Sequence, residues 1–589
     1  MKTNSYRTSG IAVYAGRSRL QVLAERNHSI KGEIVKNLLA ALLLSVTCAP
    51  VCAQTAAELL NENRNTDNVT TFGMGYDLKQ YSPLKQINKS NVKRLVPVWS
   101  TSLANEAGEH AQPTVYNGVM YIVNGNWTFA LDVATGKQIW RTPANYDRAA
   151  LRVAGGGALM RGTATIYNGK LYRQYVDAHV VALDMKTGKE VWKQKFAEWK
   201  EGYKGVVAPI IANGVLVSGM GGGDSTTRGF VEGYDPETGK RLWRTYTIPA
   251  PGEKGSETWP HQGKPDAWKY GGGATWQYAN YDPQLDLIYI GTGNAEPYNP
   301  SYRDGADSLY TASVIAIRPK TGEMMWHYQY VPNDSYDYDA TAESVLADIR
   351  VEGQMRKVLI NPHKNGFLYV LDRVNGQLIA ANPYTKVTWA THVDMKTGRP
   401  VLTDVLKRAI AGEEVVFWPS RGTNATLAAF NPNTGLVYLN AWHQARIMKF
   451  VEPKLVMGGG YTGVETTFTT PKGEPQGFHK AINPLTGKDV WSVPYYDVVN
   501  SAGMLATDGG LLFTGKLTGE FIALDMDNGK QLWQFKTGSG INAAPITYTH
   551  KGVQYVTILS GIGGSNPNRF AGAMIPKGGS VWTFALMTE

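Results

Sequence analysis

An apolar run, a polar turn built on Asp or a similar residue and Gly, and a returning run that in most copies ends on Trp recur along the chain. The copies read ALDVATGKQIW ending at Trp140, ALDMKTGKEVW at Trp192, GYDPETGKRLW at Trp243 and AIRPKTGEMMW at Trp326, then YVLDRVNGQLI at Ile379, AINPLTGKDVW at Trp491 and ALDMDNGKQLW at Trp533. Each predicts two strands joined by a tight turn, because Gly takes the positive φ and Asp hydrogen-bonds the turn backbone. The spacings are 52, 51, 83, 53, 112 and 42 residues. A unit near 50 fits if residues 248–275 are an insertion and a degenerate unit hides between 379 and 491, with AAFNPNTGLVYLNAW (428–442) as part of it. Units of this length, each of four short strands, are propeller blades. The expectation is an all-β fold, an eight-bladed β-propeller with tryptophan-docking repeats, closed by pairing VPVWSTSL near the start with VWTFAL near the end.

Composition supports a folded β-rich protein. Of 589 residues 43% are hydrophobic and 18% charged, with 16 Trp, 32 Tyr and 64 Gly, which excludes disorder, collagen and coiled coil. Lys31 and Lys36 precede an apolar run from Leu38 to Val46, and Val51-Cys52-Ala53 offers small residues for cleavage. Residues 1–53 are therefore expected to be a signal peptide with an N-terminal extension, removed on export to the periplasm, and 54–589 a single propeller domain. Both cysteines, Cys48 and Cys52, fall in the removed part, so Cys-ligated zinc, iron–sulfur clusters and Cys-x-x-Cys-His haem are excluded in the remainder. The first 53 residues carry seven Lys/Arg against two Asp/Glu, so a net charge of +10 drops to +5 beyond them and gives little reason to expect nucleic acid. No later apolar run approaches the ~20 residues of a membrane span.

The ten histidines are scattered and no His-Glu-x-x-His occurs, which argues against zinc hydrolysis. The Gly-x-Gly-x-x-Gly match at Gly458–Gly463 runs into the β-branched stretch VETTFTTPKG rather than a helix, which argues against a dinucleotide site. Polar residues among glycines are more informative: GMGGGDSTTRG with Gly222, Gly223 and Asp224, GGGATW ending at Trp276, GTGN ending at Asn294, and NDSYDYDATAE with Asp337 and Asp339. Loops of this kind can converge at one mouth of a propeller. Their carboxylate and amide oxygens suit a hard cation, although any one of them alone reads more simply as a turn cap.

These segments, together with YSPLKQIN (81–88), DAWKYGGGATW, LIYIGTGN, HKNGFLYVLDR, FKTGSGI and VWTFAL, resemble the pyrroloquinoline quinone (PQQ)-dependent alcohol dehydrogenases of the methanol and ethanol dehydrogenase type. The likeness spans roughly residues 68–587. It implies PQQ on the propeller axis beside one metal ion, Ca2+ or a lanthanide. An alcohol would be oxidised to a carbonyl compound, and electrons would pass to a soluble periplasmic cytochrome c. By the same resemblance Asp337 is the catalytic base, while Asp224, Asn294, Asp337 and Asp339 hold the metal. Trp276 is the indole under the cofactor, and His110, Arg161, Gly222, Gly223, Lys364 and Asn424 are its other contacts. Asp339 resembles the extra carboxylate of lanthanide-dependent members, but Asp224 is one methylene shorter than the family's Glu, so both metals stay open.

The sequence also departs from the family. The stretch that often carries adjacent cysteines is LRVAGGGALMRG, with Gly155–Gly157 near that place, and a family Glu is replaced by His110. Tryptophans expected near Ser501 and at Ala425 are missing, which implies a wider mouth and a substrate larger than methanol, a primary or secondary alcohol. Two rivals remain, a quinoprotein acting on sugars or aldehydes and a non-catalytic periplasmic scaffold. A homodimer is left open.

Overall fold

Each Asp-Gly copy closes a hairpin for the expected reason. In the first, Asp132 Oδ1 accepts from the Thr135 amide at 2.9 Å and from its hydroxyl at 2.7 Å, between strands Trp127–Asp132 and Gln138–Pro143. Gly136 sits at φ +68°, and a Cβ there would come within 2.4 Å of the Trp99 ring. The glycine thus makes the turn and also seats an indole from the neighbouring sheet.

The computed structural model describes residues 54–61, 64–104, 107–153, 160–260, 265–340, 343–424, 426–563 and 575–587. All belong to one unit, Gln54–Glu589. The expected signal peptide, both cysteines, Gly155–Gly157 and Ala425 lie outside the described residues. These residues build seven four-stranded sheets and one of five strands, each of the larger sheets following the chain closely. Strand Leu95–Ser102 pairs antiparallel with Ser580–Leu586, so VPVWSTSL and VWTFAL do join the two ends of the chain.

Indoles link successive sheets. Trp99 Nε1 donates to the Val133 carbonyl at 3.1 Å, Trp140 to Met185 at 3.1 Å, Trp192 to Pro236 at 3.1 Å and Trp243 to Pro319 at 2.9 Å. Further round, Trp491 donates to Met526 at 2.9 Å and Trp533 to Leu95 at 3.0 Å. Trp326 packs on Gly376 without a hydrogen bond. Where the copy ends in Ile379, Asn382 substitutes, its Nδ2 donating to the Leu485 carbonyl at 3.1 Å.

One expectation is corrected. The segment 428–442 is not part of a hidden unit: its strands Ala429–Asn431 and Leu436–Trp442 form one sheet with Gly477–Ile482 and Asp489–Tyr495, the copy ending at Trp491. The eighth sheet is the closing one, Leu95–Ser102 with Ile546–His550, Val553–Ser560 and Ser580–Leu586. Its Trp99 comes from the N-terminal strand, so the repeat is split across the chain ends and no contiguous search shows it. The 112-residue interval is long because it holds a hairpin (Ala390–Val393, Pro400–Leu402), a helix (Val405–Ile410) and a three-stranded sheet (Val415–Phe417, Ala445–Phe450, Val464–Thr469). This excursion packs on the segment carrying Asp337. The Tyr336 ring lies 5.2 Å from Phe417, the Tyr338 ring 5.2 Å from Trp389, and the Tyr338 hydroxyl donates to the Pro419 carbonyl at 2.6 Å. The described residues of 248–275 hold short turns, Ser256–Thr258 and Ala267–Tyr270, as an insertion would.

Candidate active site

Loops from five sheets and from the excursion meet around a cavity of about 270 Å3. That is the small end of ligand-site volumes. One wall is backbone: Gly222, at φ +114°, lies so close to Gly202 that a Cβ would meet its carbonyl oxygen at 2.3 Å. Gly223 follows, and then Asp224, which is exposed on the cavity wall and accepts from the Tyr298 hydroxyl at 3.3 Å. Although its side chain opens onto the cavity, the protein that encloses that cavity desolvates the Asp224 carboxyl and raises it above its ordinary pKa, and the charge of Asp337 adds to this.

Asp337 stands at φ +63°, a left-handed conformation that costs a non-glycine residue free energy. The turn is enforced by Asp334, whose carboxylate accepts from the Tyr336 and Tyr338 amides at 3.1 and 2.9 Å. Three cations face Asp337: Lys364 Nζ at 2.6 Å, Arg446 Nη1 at 3.3 Å and Arg421 Nη2 at 3.9 Å. Burial works against its ionisation, but these charges outweigh it and hold Asp337 well below the usual carboxylate range. Lys364 also reaches Asp339 at 2.8 Å, where burial prevails and pushes the carboxyl up. The pair therefore divides its roles, with Asp337 ionised and Asp339 the readier to take a proton.

Trp276 Nε1 donates to Asp339 Oδ2 at 2.8 Å, which locks the indole plane, and the Arg161 guanidinium lies 4.9 Å from the ring centre. Asn294 Nδ2 donates to Glu296 Oε1 at 2.9 Å, which leaves Oδ1 on the side of Gly223. Asn424, Lys204, Val206 and Gly221 complete the lining.

Ten of the eleven residues named from the sequence thus border one cavity: Arg161, Gly222, Gly223, Asp224, Trp276, Asn294, Asp337, Asp339, Lys364 and Asn424. His110 does not. It lies one strand away, paired in register with Arg161, and burial beside that guanidinium lowers its pKa to about 3, so it is neutral. Four neighbours were not anticipated. Arg421 lines the cavity, Arg446 braces Asp337 from 109 residues away, and Tyr298 and Glu296 stand behind the oxygen donors. Only Glu296 left a trace in the sequence, two residues after Asn294 in GTGNAEP.

The donor set is oxygen throughout, the chemistry of a hard cation. Among the described residues no three His, Cys, Asp or Glu side chains already meet at one point, and Lys364 bridges the two closest carboxylates. Glu296 Oε2 is buried with no partner, a polar atom that a nearby cation would compensate. The glycine wall and the indole face leave room for a flat ring. Residues present and group implied are compatible.

Residues 70–397 and 465–556 match the family described as the glucose/ethanol/alcohol dehydrogenase β-propeller domain that uses PQQ. Over 552 residues the chain is 39% identical to the quinohemoprotein alcohol dehydrogenase ADH IIB of Pseudomonas putida, covering 90% of this chain and 79% of that one. The chain belongs to the PQQ-dependent alcohol dehydrogenases. It is 35% identical to the quinoprotein alcohol dehydrogenase PedH of Pseudomonas putida, covering 94% of this chain and 96% of that one. A europium-containing methanol dehydrogenase superposes with a TM-score of 0.84 at 33% identity, over 90% of this chain and all of that one. The dehydrogenase oxidises alcohols with PQQ, and its mostly-β architecture is the family's propeller. Among its described residues no helix is long and apolar enough to cross a membrane.

Proposed function

We propose that this dehydrogenase is a periplasmic enzyme with an eight-bladed ring, oxidising an alcohol larger than methanol at Asp337 and passing electrons to a soluble cytochrome c. The observation that carries the reading is the convergence of ten residues from seven separate segments on one cavity with Asp337 at its most cationic side. Eight sheets linked by indoles or Asn382 support the blade count.

In this reading Asp224, Asn294, Asp337 and Asp339 hold one Ca2+ or lanthanide ion, and Glu296 orients Asn294 from behind. The europium enzyme among the structural relatives and the carboxylate of Asp339 both favour a trivalent ion. Trp276, Gly222 and Gly223 would hold the quinone, with Arg161, Lys364 and Asn424 as its polar contacts. When bound, PQQ supplies the two-electron acceptor for hydride and the metal polarises its carbonyl. The chain's own part is to hold Asp337 ionised and aimed. Lys364 and Arg446 keep it deprotonated at neutral pH, the Asp334-capped turn fixes its direction, and it accepts the hydroxyl proton at Oδ2 or Oδ1 as hydride leaves carbon. His110 acts from the second row, packing beside Arg161.

The test is dye reduction by the purified protein with PQQ and either Ca2+ or La3+, across alcohols from methanol upward. Turnover that rises beyond ethanol and needs both quinone and metal supports the reading. Binding of quinone without oxidation of any alcohol, aldehyde or sugar would count against it. Glucose belongs in the panel because the family description spans glucose and alcohol dehydrogenases alike.

A further inference from the structure

Buried arginines in this protein are well supplied with acceptors. Arg173 donates to the Trp127 and Asn124 carbonyls and to Thr128, Arg303 to the Pro297 and Asp334 carbonyls, Ser308 and Asn333, and Arg446 to the Tyr336 carbonyl, Thr466 and Asp337. Arg421 differs. It is 8% exposed, its Nε and Nη1 are buried with no partner, and its Nη2 is 3.9 Å from Asp337, beyond hydrogen-bonding distance. Nor is it needed to neutralise Asp337, which Lys364 and Arg446 already contact more closely.

Its position is fixed, however. The Gly422 amide donates to the Lys364 carbonyl at 2.7 Å and the Ser420 amide to the Gln444 carbonyl at 2.6 Å, so the backbone on both sides of Arg421 is tied down. The guanidinium lies 5.0 Å from the Phe468 ring centre and borders the catalytic cavity. A groove of about 390 Å3, lined by Gln444, Thr466, Phe468 and Val499, adjoins it through Phe468 and Gln444. Arg421 also lies between residues 397 and 465, the interval that the family description leaves unmatched. A buried guanidinium with unpaired donors, carried on tethered backbone beside a reaction centre, suits an oxyanion.

We propose that Arg421 is a carboxylate-binding residue of the catalytic cavity and that the alcohol oxidised there is a short hydroxy acid. This rests on the reading of Asp337 as the base. A hydroxyl at Asp337 and a carboxylate at Arg421, whose Nη2 lies 3.9 Å from that same aspartate, call for a short chain between the two groups. The hydroxy acid loses its O–H proton to Asp337 and its C–H hydrogen, with two electrons, to the quinone, leaving an oxo acid. The carboxylate is untouched by the chemistry and serves to orient. A carboxylate of the quinone itself is the other source of the same chemistry, and the experiment separates the two.

Compare 3-hydroxypropanoate with 1-propanol as substrates of the PQQ- and metal-loaded enzyme, wild type, Arg421→Gln and Arg421→Lys, and titrate PQQ into each metal-loaded apoenzyme. The expected result is a preference of wild type for the acid and, in Arg421→Gln, an acid kcat/KM that falls about 10–100-fold further than that of the neutral alcohol, mainly through KM, with PQQ affinity retained. Arg421→Lys restores part of the loss, since charge survives and the planar donor array does not. Equal losses on both substrates together with weaker PQQ binding would assign the carboxylate to the cofactor and overturn the substrate class. Oxidation of 1-propanol with no effect of Arg421 on either substrate would overturn the subsite while the Asp337 reading stood. If no alcohol is oxidised, the Asp337 reading fails instead. Calorimetric binding of 3-hydroxypropanoate that Arg421→Gln abolishes would then still uphold the subsite, and its absence would sink it.

Discussion

Aspartates in the blade turns and aspartates in the cavity are the same residue put to opposite ends. Asp132, Asp184 and Asp235 each accept hydrogen bonds from a Thr three residues on, and their pKa values are lowered, because the turn they create supplies the donors that stabilise their charge. Asp224 and Asp339 are raised by burial instead, and Asp337 is lowered only by cations that arrive from distant segments. A turn aspartate satisfies itself locally and contributes to stability. A cavity aspartate is satisfied by tertiary neighbours, and what remains unsatisfied is available to a ligand.

The comparison is broken most directly by exchanging Asp for Asn in each region. Asp337→Asn is expected to lower kcat about 100–10,000-fold with Tm nearly unchanged, since a general base is lost and no packing is; Asp184→Asn should leave kcat alone. A large fall in Tm for Asp337→Asn would mean that its ion pairs hold the fold.

Next in size is an indole between sheets. Trp491 is 9% exposed and bonded to the Met526 carbonyl, so Trp491→Ala should cost about 3–5 kcal/mol in denaturant unfolding while activity per folded molecule is retained. Activity loss in proportion would show that the ring and the cavity are not separable.

Glu296→Gln sharpens the cavity side. Gln keeps an acceptor for Asn294 but removes the charge, and metal affinity should fall about 10-fold, read by lanthanide luminescence rather than turnover. An unchanged affinity would confine Glu296 to packing.

The smallest effect is on acid stability. The folded pKa of Asp184 is depressed, so its contribution is complete above the unfolded value of about 3.9 and disappears as pH falls through the lower folded value. The Tm gap between wild type and Asp184→Asn should therefore narrow on going from pH 5 to pH 3. A gap that widens would contradict the sign.

Much of this was legible in the chain. Each turn has its Asp or a substitute for it, its Gly and, in six copies, its Trp within eleven residues, so the seven copies, and the strands on either side of them, could be read directly. The closing pair was legible too, because VPVWSTSL and VWTFAL each look like strands lacking a partner. The hidden unit was misread, since 428–442 carries a turn and strands but finds its other half 35 residues later, across the excursion. Motif by motif, the cavity residues could be named, and ten of them do share a wall. His110 stands in register with Arg161 but one strand further out, so it flanks a cavity residue instead of bordering the cavity, a distinction that a linear comparison does not resolve.

What the sequence alone determined is everything written in short-range terms: hairpin turns bonded within three or four residues, the indole repeat, and glycines that let backbone approach. What only the tertiary structure decided is the electrostatics of the site. Arg421, Arg446 and Lys364 reach Asp337 from 84, 109 and 27 residues away, and Glu296 faces carboxylates on other loops. Charge acts through space in proportion to inverse distance, and burial depends on what surrounds a group in three dimensions, so neither an acid's ionisation nor an arginine's free donors can be read along the chain.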